Sequence, residues 1–482
     1  MQVERLDGRS LTIGRLVDIA SGRCAVEVDP AALWRVEKRH ARLQEARAQG
    51  AVYGANTGVG ANRHENSVDE GFHGLRLLRS HCAAVGPVED DVTARAAMTT
   101  RLNQILAGGS GVSRAVAAAL AEALSRGAVP TMHSWGAIGT GDLAALAELG
   151  LTLAGERPWQ SGSAPVVAIG PTDALPMISS SAVTVATAAL ALHNVQSQLR
   201  ASVVVAALSF LALRGNPEAY DPRVHSARAH PGQVEVAALL ERLVAGSGAP
   251  ARIQDPFGLR VLPQVTAPAV HAARSLHDVL TAEINAAVEN PLVTPDGVRH
   301  HGQFHTATLA SMLDAVRGTF LPVLSLSTAR LGLLMRPDLT GLRAFLAAGP
   351  AGSSGLMISE YVVQDLLTEI RVGMTPTAAG TLSISLGLEE HASFATQGAR
   401  SLRTMTALAP TLLAAELIAA VRALRMAPGR LTEGLARRAF DMAADALDPD
   451  ESDRPLGDDL ARAADLLPEL GAVLDHSPID LT

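Results

Sequence analysis

The sequence predicts a mainly α-helical protein, a bundle of long helices fed by glycine-rich loops. Three observations predict it. Residues 178–214 contain neither glycine nor proline, so one long helix is expected there. Alternating apolar and polar runs of the strand type are scarce throughout. Glycines gather instead in short loops between helical patterns, at 54–60 and at 136–141.

In chain order, the first fifty residues carry one helical stretch, 30–49, rich in Ala, Arg and Glu. The loop Tyr53-Gly54-Ala55-Asn56-Thr57-Gly58-Val59-Gly60 follows and holds one of only three tyrosines. Helical patterns then cover 72–85, 93–107 and 113–126, the last opened by a serine cap and closed by Gly127. The long helix from 178 begins at a cluster of cap-type residues, Ser179-Ser180-Ser181. A loop with Pro217, Pro222 and Pro231 separates it from patterns at 267–289, 306–334, 358–372, 386–408 and 411–426. The last of these, with Leu412, Leu413, Leu417, Ile418, Val421 and Leu424, is too apolar to bury easily in a monomer this poor in aromatic residues. Packing of helices between copies is therefore expected. The acidic segment Asp448-Pro449-Asp450-Glu451 reads as a solvated loop. At 482 residues the chain outgrows a single core. The expected division is an active-site loop domain, 1–177, and a long-helix bundle with C-terminal helices, 178–482.

The stretch 131–146 organises the first half. Gly136, Gly139 and Gly141 cannot belong to a regular helix, and Asp142 stands at an N-cap position before Leu143, Leu146 and Leu149. The loop Gly139-Thr140-Gly141 is thus offered at the positive end of a helix. An ordinary helix entry has the same spacing, so the loop alone does not fix a function.

Composition removes several classes. The net charge of −8, with no basic run, gives no electrostatic support for nucleic-acid binding. Lys38 is the only lysine among 40 basic residues, and it sits in the charged run Glu37-Lys38-Arg39-His40. That excludes a Walker-type phosphate loop and argues against a Schiff-base enzyme. The N-terminus lacks the pattern of a secretory signal, and apolar runs such as 201–213 read as too short to span a bilayer. Cys24 and Cys82 have neither metal nor redox spacing. A soluble cytoplasmic protein without membrane or nucleic-acid partners is expected. His300, His301 and His305 form the one histidine group that could be read as a zinc site, though three histidines alone fix no geometry.

Several segments together resemble the aromatic amino acid ammonia-lyases. The Tyr53–Gly60 loop is similar to their Tyr-Gly-x-Asn-Thr-Gly-Phe-Gly. Ser80-His81-Cys82-Ala83-Ala84-Val85-Gly86 resembles Ser-His-Ala-x-Gly-Val-Gly, a segment whose histidine faces an imidazole ring in histidine-type members. Gln254-Asp255-Pro256-Phe257-Gly258-Leu259-Arg260 with Pro263-Gln264 resembles Gln-Asp-x-Tyr-Ser-x-Arg with Pro-Gln. Glu289-Asn290-Pro291-Leu292 and Gly302-Gln303-Phe304-His305 resemble Asp-Asn-Pro-Leu and Gly-Asn-Phe-His, and Glu389-Glu390-His391 resembles Glu-Asp-His. The matches run through nearly the whole chain in order.

The resemblance implies a homotetramer with active sites shared between subunits. It also implies a loop, Ala-Ser-Gly in the family, that cyclises to a methylidene-imidazolone electrophile for the substrate amine. Carried over by position, Tyr53 is the base that removes a β-proton and Arg260 the carboxylate clamp. Gln254 and Phe304 become pocket walls, His81 the ring partner and Glu389 a polar partner. Chemically, a guanidinium fork binds a carboxylate bidentately, and a tyrosine serves as base only when its pKa is lowered.

Three departures fall on the amine-handling side. The cyclising triplet reads Gly139-Thr140-Gly141, so dehydration of Thr140 would leave an ethylidene with a crowding methyl. The family's Asn-Gly-Thr, whose asparagine supports the electrophile and the amine, reads Ser179-Ser180-Ser181. Phe257 replaces the tyrosine of the Gln-Asp-x-Tyr element and has no hydroxyl. The leading expectation is a lyase that needs no cofactor and no electrophile. It would act on a histidine-like α-amino acid whose leaving group is already good, such as a trimethylammonium; family members acting on histidine betaines such as ergothioneine are the nearest analogy. The alternatives are a conventional ammonia-lyase or aminomutase with a Thr140-derived electrophile, and a catalytically silent homologue that binds a small acid or a partner chain.

Overall fold

A computed structural model of the chain describes residues 2–67 and 73–474. Among these the structure is dominated by helices, with four two-stranded sheets, one parallel and three antiparallel. The helices Pro30–Gln49, Arg114–Ser125, Ala307–Leu334 and Met357–Val372 fall where the sequence places them, within a residue. Ser113 caps its helix as expected, its hydroxyl accepting from Val116 N. The pattern at 72–85 becomes His73–His81, with Phe72 outside the described residues. Among the described residues, four helices of eight residues or more were not anticipated: Ile13–Ala20, Pro231–Leu243, Leu435–Ala446 and Gly457–Ala472.

Two expectations change for physical reasons. The patterns at 386–408 and 411–426 form one helix, Ala395–Met426, that runs through Pro410. A proline there deprives the Thr406 carbonyl of its helical donor. The Gln198 amide supplies the missing bond at 2.7 Å, so the helix continues. Residues 386–394 form no α-helix: Ser385, Leu386 and Phe394 adopt left-handed backbone, and Ile384 pairs with Glu389 across a tight turn.

Internal packing groups the chain into two units, Met1–His193 with Leu276–Asp314 and Pro376–Arg400, and Asn194–Ser275 with Ala315–Thr375 and Ser401–Thr482. These follow different lines from the expected boundary between residues 177 and 178. The first unit is built around the helix Asp91–Leu106, buried on every side from Ala96 to Leu106. Most of its long interior polar side chains are engaged, as burial demands, while the Thr100 hydroxyl has no partner. Arg101 donates to the carbonyls of Pro176 and Met177 and to Glu289, the last at 2.8 Å. Gln104 accepts from the Ser180 hydroxyl at 2.6 Å, and Asn103 donates to Ile284 O at 2.8 Å. This one helix therefore fixes the backbone on either side of Ser179 and the start of the loop at Glu289.

In the second unit, Glu416 lies fully buried and receives Arg330 through two nitrogens at 2.6 and 2.9 Å, together with the hydroxyls of Ser209 and Ser327. Arg330 also donates to Gly258 O at 3.2 Å, and Tyr220 donates to Leu259 O at 2.8 Å. The short helix Phe257–Arg260 is thereby pinned from behind. Leu412, Leu413, Leu417, Val421 and Leu424 are all buried within the chain, so the argument for association from their apolarity falls away. Ala174–Ala212, Ala307–Leu334 and Ala395–Met426 are long and apolar enough to cross a membrane by length and composition, which corrects the expectation that every apolar run is too short. In the first of them 94% of the apolar stretch is buried inside the protein, an adequate reason for its composition.

Candidate active site

Six of the expected site residues share one cavity of about 620 Å³: Tyr53, His81, Thr140, Ser179, Phe304 and Glu389. All six belong to the first unit.

Tyr53 is held by its own loop. Gly54 takes φ +69, and a Cβ there would lie 2.1 Å from a methyl of Leu175, so glycine is required. Asn56 accepts from Val52 N at 2.7 Å and Thr57 from Gly54 N at 3.2 Å, closing the turn. Gly60 N–H then donates to the Tyr53 hydroxyl at 2.7 Å. Burial pushes the phenol's pKa up, Glu389 pushes it further, and the Gly60 N–H and the charge of Arg63 pull against them, leaving it raised. The lowered pKa that a tyrosine base requires is thus not provided by this chain alone.

His81 ends the helix His73–His81, with Nδ1 2.9 Å from Leu77 O. A carbonyl can only accept, so Nδ1 carries a proton, and Nε2 is the nitrogen left to meet a ligand.

The loop Gly139-Thr140-Gly141 is tightly framed. Gly139 O accepts from the hydroxyls of Thr306 and Ser393 at 3.0 and 2.9 Å. At φ +87, a Cβ on Gly139 would fall 2.0 Å from Ser393 Oγ, so the family's alanine has no room in this conformation. Gly141 takes φ +119. Asp142 occupies the N-cap position of the helix Leu143–Leu153 but makes no cap bond. Its carboxylate instead accepts from Thr184 N and Thr184 Oγ1, both at 2.7 Å, tying this loop to the start of Ala182–Ala212. Burial raises its pKa to about 6, against the opposing pull of those bonds. Ser179 Oγ accepts from Asn290 N at 3.3 Å, which joins the cavity wall at 179 to the loop at 290.

The cavity also takes in Asn62, Arg63 and Asn290, which the sequence did not single out as site groups, and His300 and His301, which it offered only as candidate zinc ligands. Their signal was present only as position: Asn62 and Arg63 follow the tyrosine loop, and Asn290 lies in a quoted motif. His300 stands edge-on to Tyr53 with ring centroids 6.5 Å apart. His301 donates from Nε2 to Glu289 O at 2.8 Å and accepts at Nδ1 from Gln303 N at 2.9 Å, so both its nitrogens serve the loop. His305 pairs with His391 at 2.9 Å. Among the described residues no three His, Cys, Asp or Glu side chains gather as a metal set, so the three histidines do not make the zinc site considered from sequence.

Gln254, Phe257 and Arg260 belong to the second unit, and none lines this cavity. Asp255 anchors their turn by accepting from Asn216 N and Arg252 Nε. The turn displays an apolar and cationic face: Ile253 is 92% and Phe257 63% exposed, and Arg260 lies 4.6 Å over the Phe257 ring.

The cavity thus joins a loop tyrosine, an imidazole and a carboxylate, groups able to exchange protons with a small ligand. Residues 11–444 match the aromatic amino acid lyases, and the chain belongs to that family, as a carbon–nitrogen lyase. It is 34% identical to the histidine ammonia-lyase of Geobacillus kaustophilus over 87% of this chain and 88% of that one. The solved histidine ammonia-lyase of Trypanosoma cruzi is 27% identical, with a TM-score of 0.90 over 98% of this chain and 94% of that chain. Ergothionase from Treponema denticola, an ergothioneine-degrading enzyme, shares the fold at 22% identity and a TM-score of 0.90, over 98% of this chain and the whole of that one.

Proposed function

We propose that this lyase eliminates a tertiary amine from the betaine of a histidine-like α-amino acid, without a methylidene-imidazolone group, as a cytoplasmic homotetramer. One observation carries the reading. Tyr53, His81, Phe304 and Glu389 share the cavity, while Thr140 and Ser179 occupy it where the family's serine and asparagine stand. The family's cyclised group does not fit these residues. Thr140 adds a methyl at the carbon to be attacked, and the short Ser179 side chain is already engaged with Asn290. No step below runs through it.

In the elimination, Tyr53 oxygen takes the β-proton, and the C–H electron pair becomes the new C=C bond. The C–N pair leaves with nitrogen as a neutral trialkylamine. A fixed positive charge makes nitrogen a good leaving group without covalent help. Bound beside the phenol, it also supplies the positive potential that offsets the burial raising the Tyr53 pKa. His81 Nε2 accepts the N–H of a substrate imidazole. Arg260, with Gln254, clamps the carboxylate from a neighbouring copy, consistent with the exposed face on which it stands. Resemblance to histidine ammonia-lyases supports the imidazole substrate.

A second reading, a conventional ammonia-lyase or aminomutase with a Thr140-derived electrophile, is favoured by one feature. Two hydroxyls donate to Gly139 O and polarise the carbonyl that Gly141 nitrogen would attack. Thr140→Ala separates the two readings in assays with histidine and its trimethyl betaine. The proposal expects the betaine to be the substrate and the variant to stay within about tenfold of the parent in kcat. Turnover of histidine that vanishes in the variant would establish the second reading.

A further inference from the structure

We propose that the second unit holds a binding site for a small oxyanion, a carboxylate or phosphate, between the guanidinium groups of Arg214 and Arg430. The two arginines line a recess of about 160 Å³ with Gly215, Ser247, Gly248 and Gly429, above the buried ring of Phe210. Among the described residues no acidic side chain lines it. Among the described residues neither arginine has a carboxylate partner; Arg430 donates to the Ala212 carbonyl at 2.8 Å. Burial and the charge of Arg214 together hold the Arg430 guanidinium below its usual pKa range, so the like charges face each other without neutralisation. A bidentate oxyanion relieves that repulsion and matches the geometry of both forks.

The backbone supplies an independent reason. The helix Ala182–Ala212 closes with Arg214 N bonded to Leu211 O at 3.1 Å and Gly215 N bonded to Phe210 O at 3.0 Å. This is the closure in which glycine normally fills the left-handed position. Here that position is Arg214, at φ +52, although a glycine stands next to it. The two cannot trade places freely, because a Cβ on Gly215 would lie 2.4 Å from the Phe210 ring. An L side chain is therefore kept in a strained conformation at the lip of the recess, and strain retained in this way points to use of the side chain. At Gly248 and Gly429 a Cβ would meet only open space, which leaves the backbone accessible to a ligand.

The test is thermal unfolding of the full chain in inorganic phosphate, in acetate and in chloride at equal ionic strength, for the parent, Arg214→Gly and Arg430→Gln. The parent is expected to gain several degrees in Tm with phosphate or acetate beyond chloride, rising with the logarithm of concentration. The response to one or the other identifies the ligand as phosphoryl or carboxyl. Arg214→Gly is expected to melt higher than the parent in chloride, because glycine relieves the strain, and to lose the anion response while keeping its kcat. Arg430→Gln is expected to lose the response as well. An Arg214→Gly variant that keeps the full anion response, or a parent that responds equally to chloride, overturns the proposal.

Discussion

In the proposed elimination Tyr53 takes the proton, and its surroundings set the condition under which it can act. With burial and Glu389 raising its pKa, it is a poor base until a cation arrives. Tyr53→Phe should therefore lower kcat by about 10²–10⁴ while the Kd for the betaine, measured by calorimetry, changes little. A variant retaining parental kcat would transfer the base to another group. Six residues that line the cavity were legible in the sequence, because the segments that carry them follow the family's order along the chain even where, at Thr140 and Ser179, the residue differs. Asn62 and Arg63 were not, because nothing in one chain's linear order says which loop residues turn inward, and His300 was read there only as a candidate zinc ligand. The raised Tyr53 pKa was also hidden: it comes first from burial that no local pattern reports, and then from Glu389, more than three hundred residues away.

At the scale of elements, the junction between the glycine loop and the long helix rests on Asp142. Sequence placed it correctly at a helix start but gave its carboxylate the wrong task, since a cap bond and a bond to Thr184 look alike in one dimension. Its pKa stands at about 6 in the fold, above the 3.8 of an unperturbed carboxyl. The folded state therefore holds this proton more tightly, and stability rises as pH falls through 6 toward 4. Between pH 7 and pH 5 the gain from this group is about 1 kcal/mol. Denaturant titrations of the parent and Asp142→Asn at the two pH values should differ by that amount, with the variant losing the gain. An equal pH response in both would show that Asp142 does not titrate there. Pro410 teaches the same lesson about elements. It reads as a helix stop, and only the distant Gln198 allows the helix to continue.

For the whole molecule, the fold class was readable from glycine-free runs and scarce alternation, whereas the grouping into units was not. Each unit is assembled from three separated segments, and the long helices cross from one grouping to the other along the chain. Arg260 and Tyr53 lie in different units, and Arg260 does not line the cavity, which suits a site completed by a second copy. Co-expressing Tyr53→Phe with Arg260→Ala chains should then restore about a quarter of parental activity, because random mixing rebuilds intact sites from two defective copies. No recovery beyond the single variants would place both residues in one chain's site. The central claim, elimination without a covalent handle for nitrogen, is tested most directly by the intact mass of a preparation that releases trimethylamine from the histidine betaine. The account predicts the mass of the unmodified sequence; a mass lower by two waters, localised to residues 139–141, contradicts it.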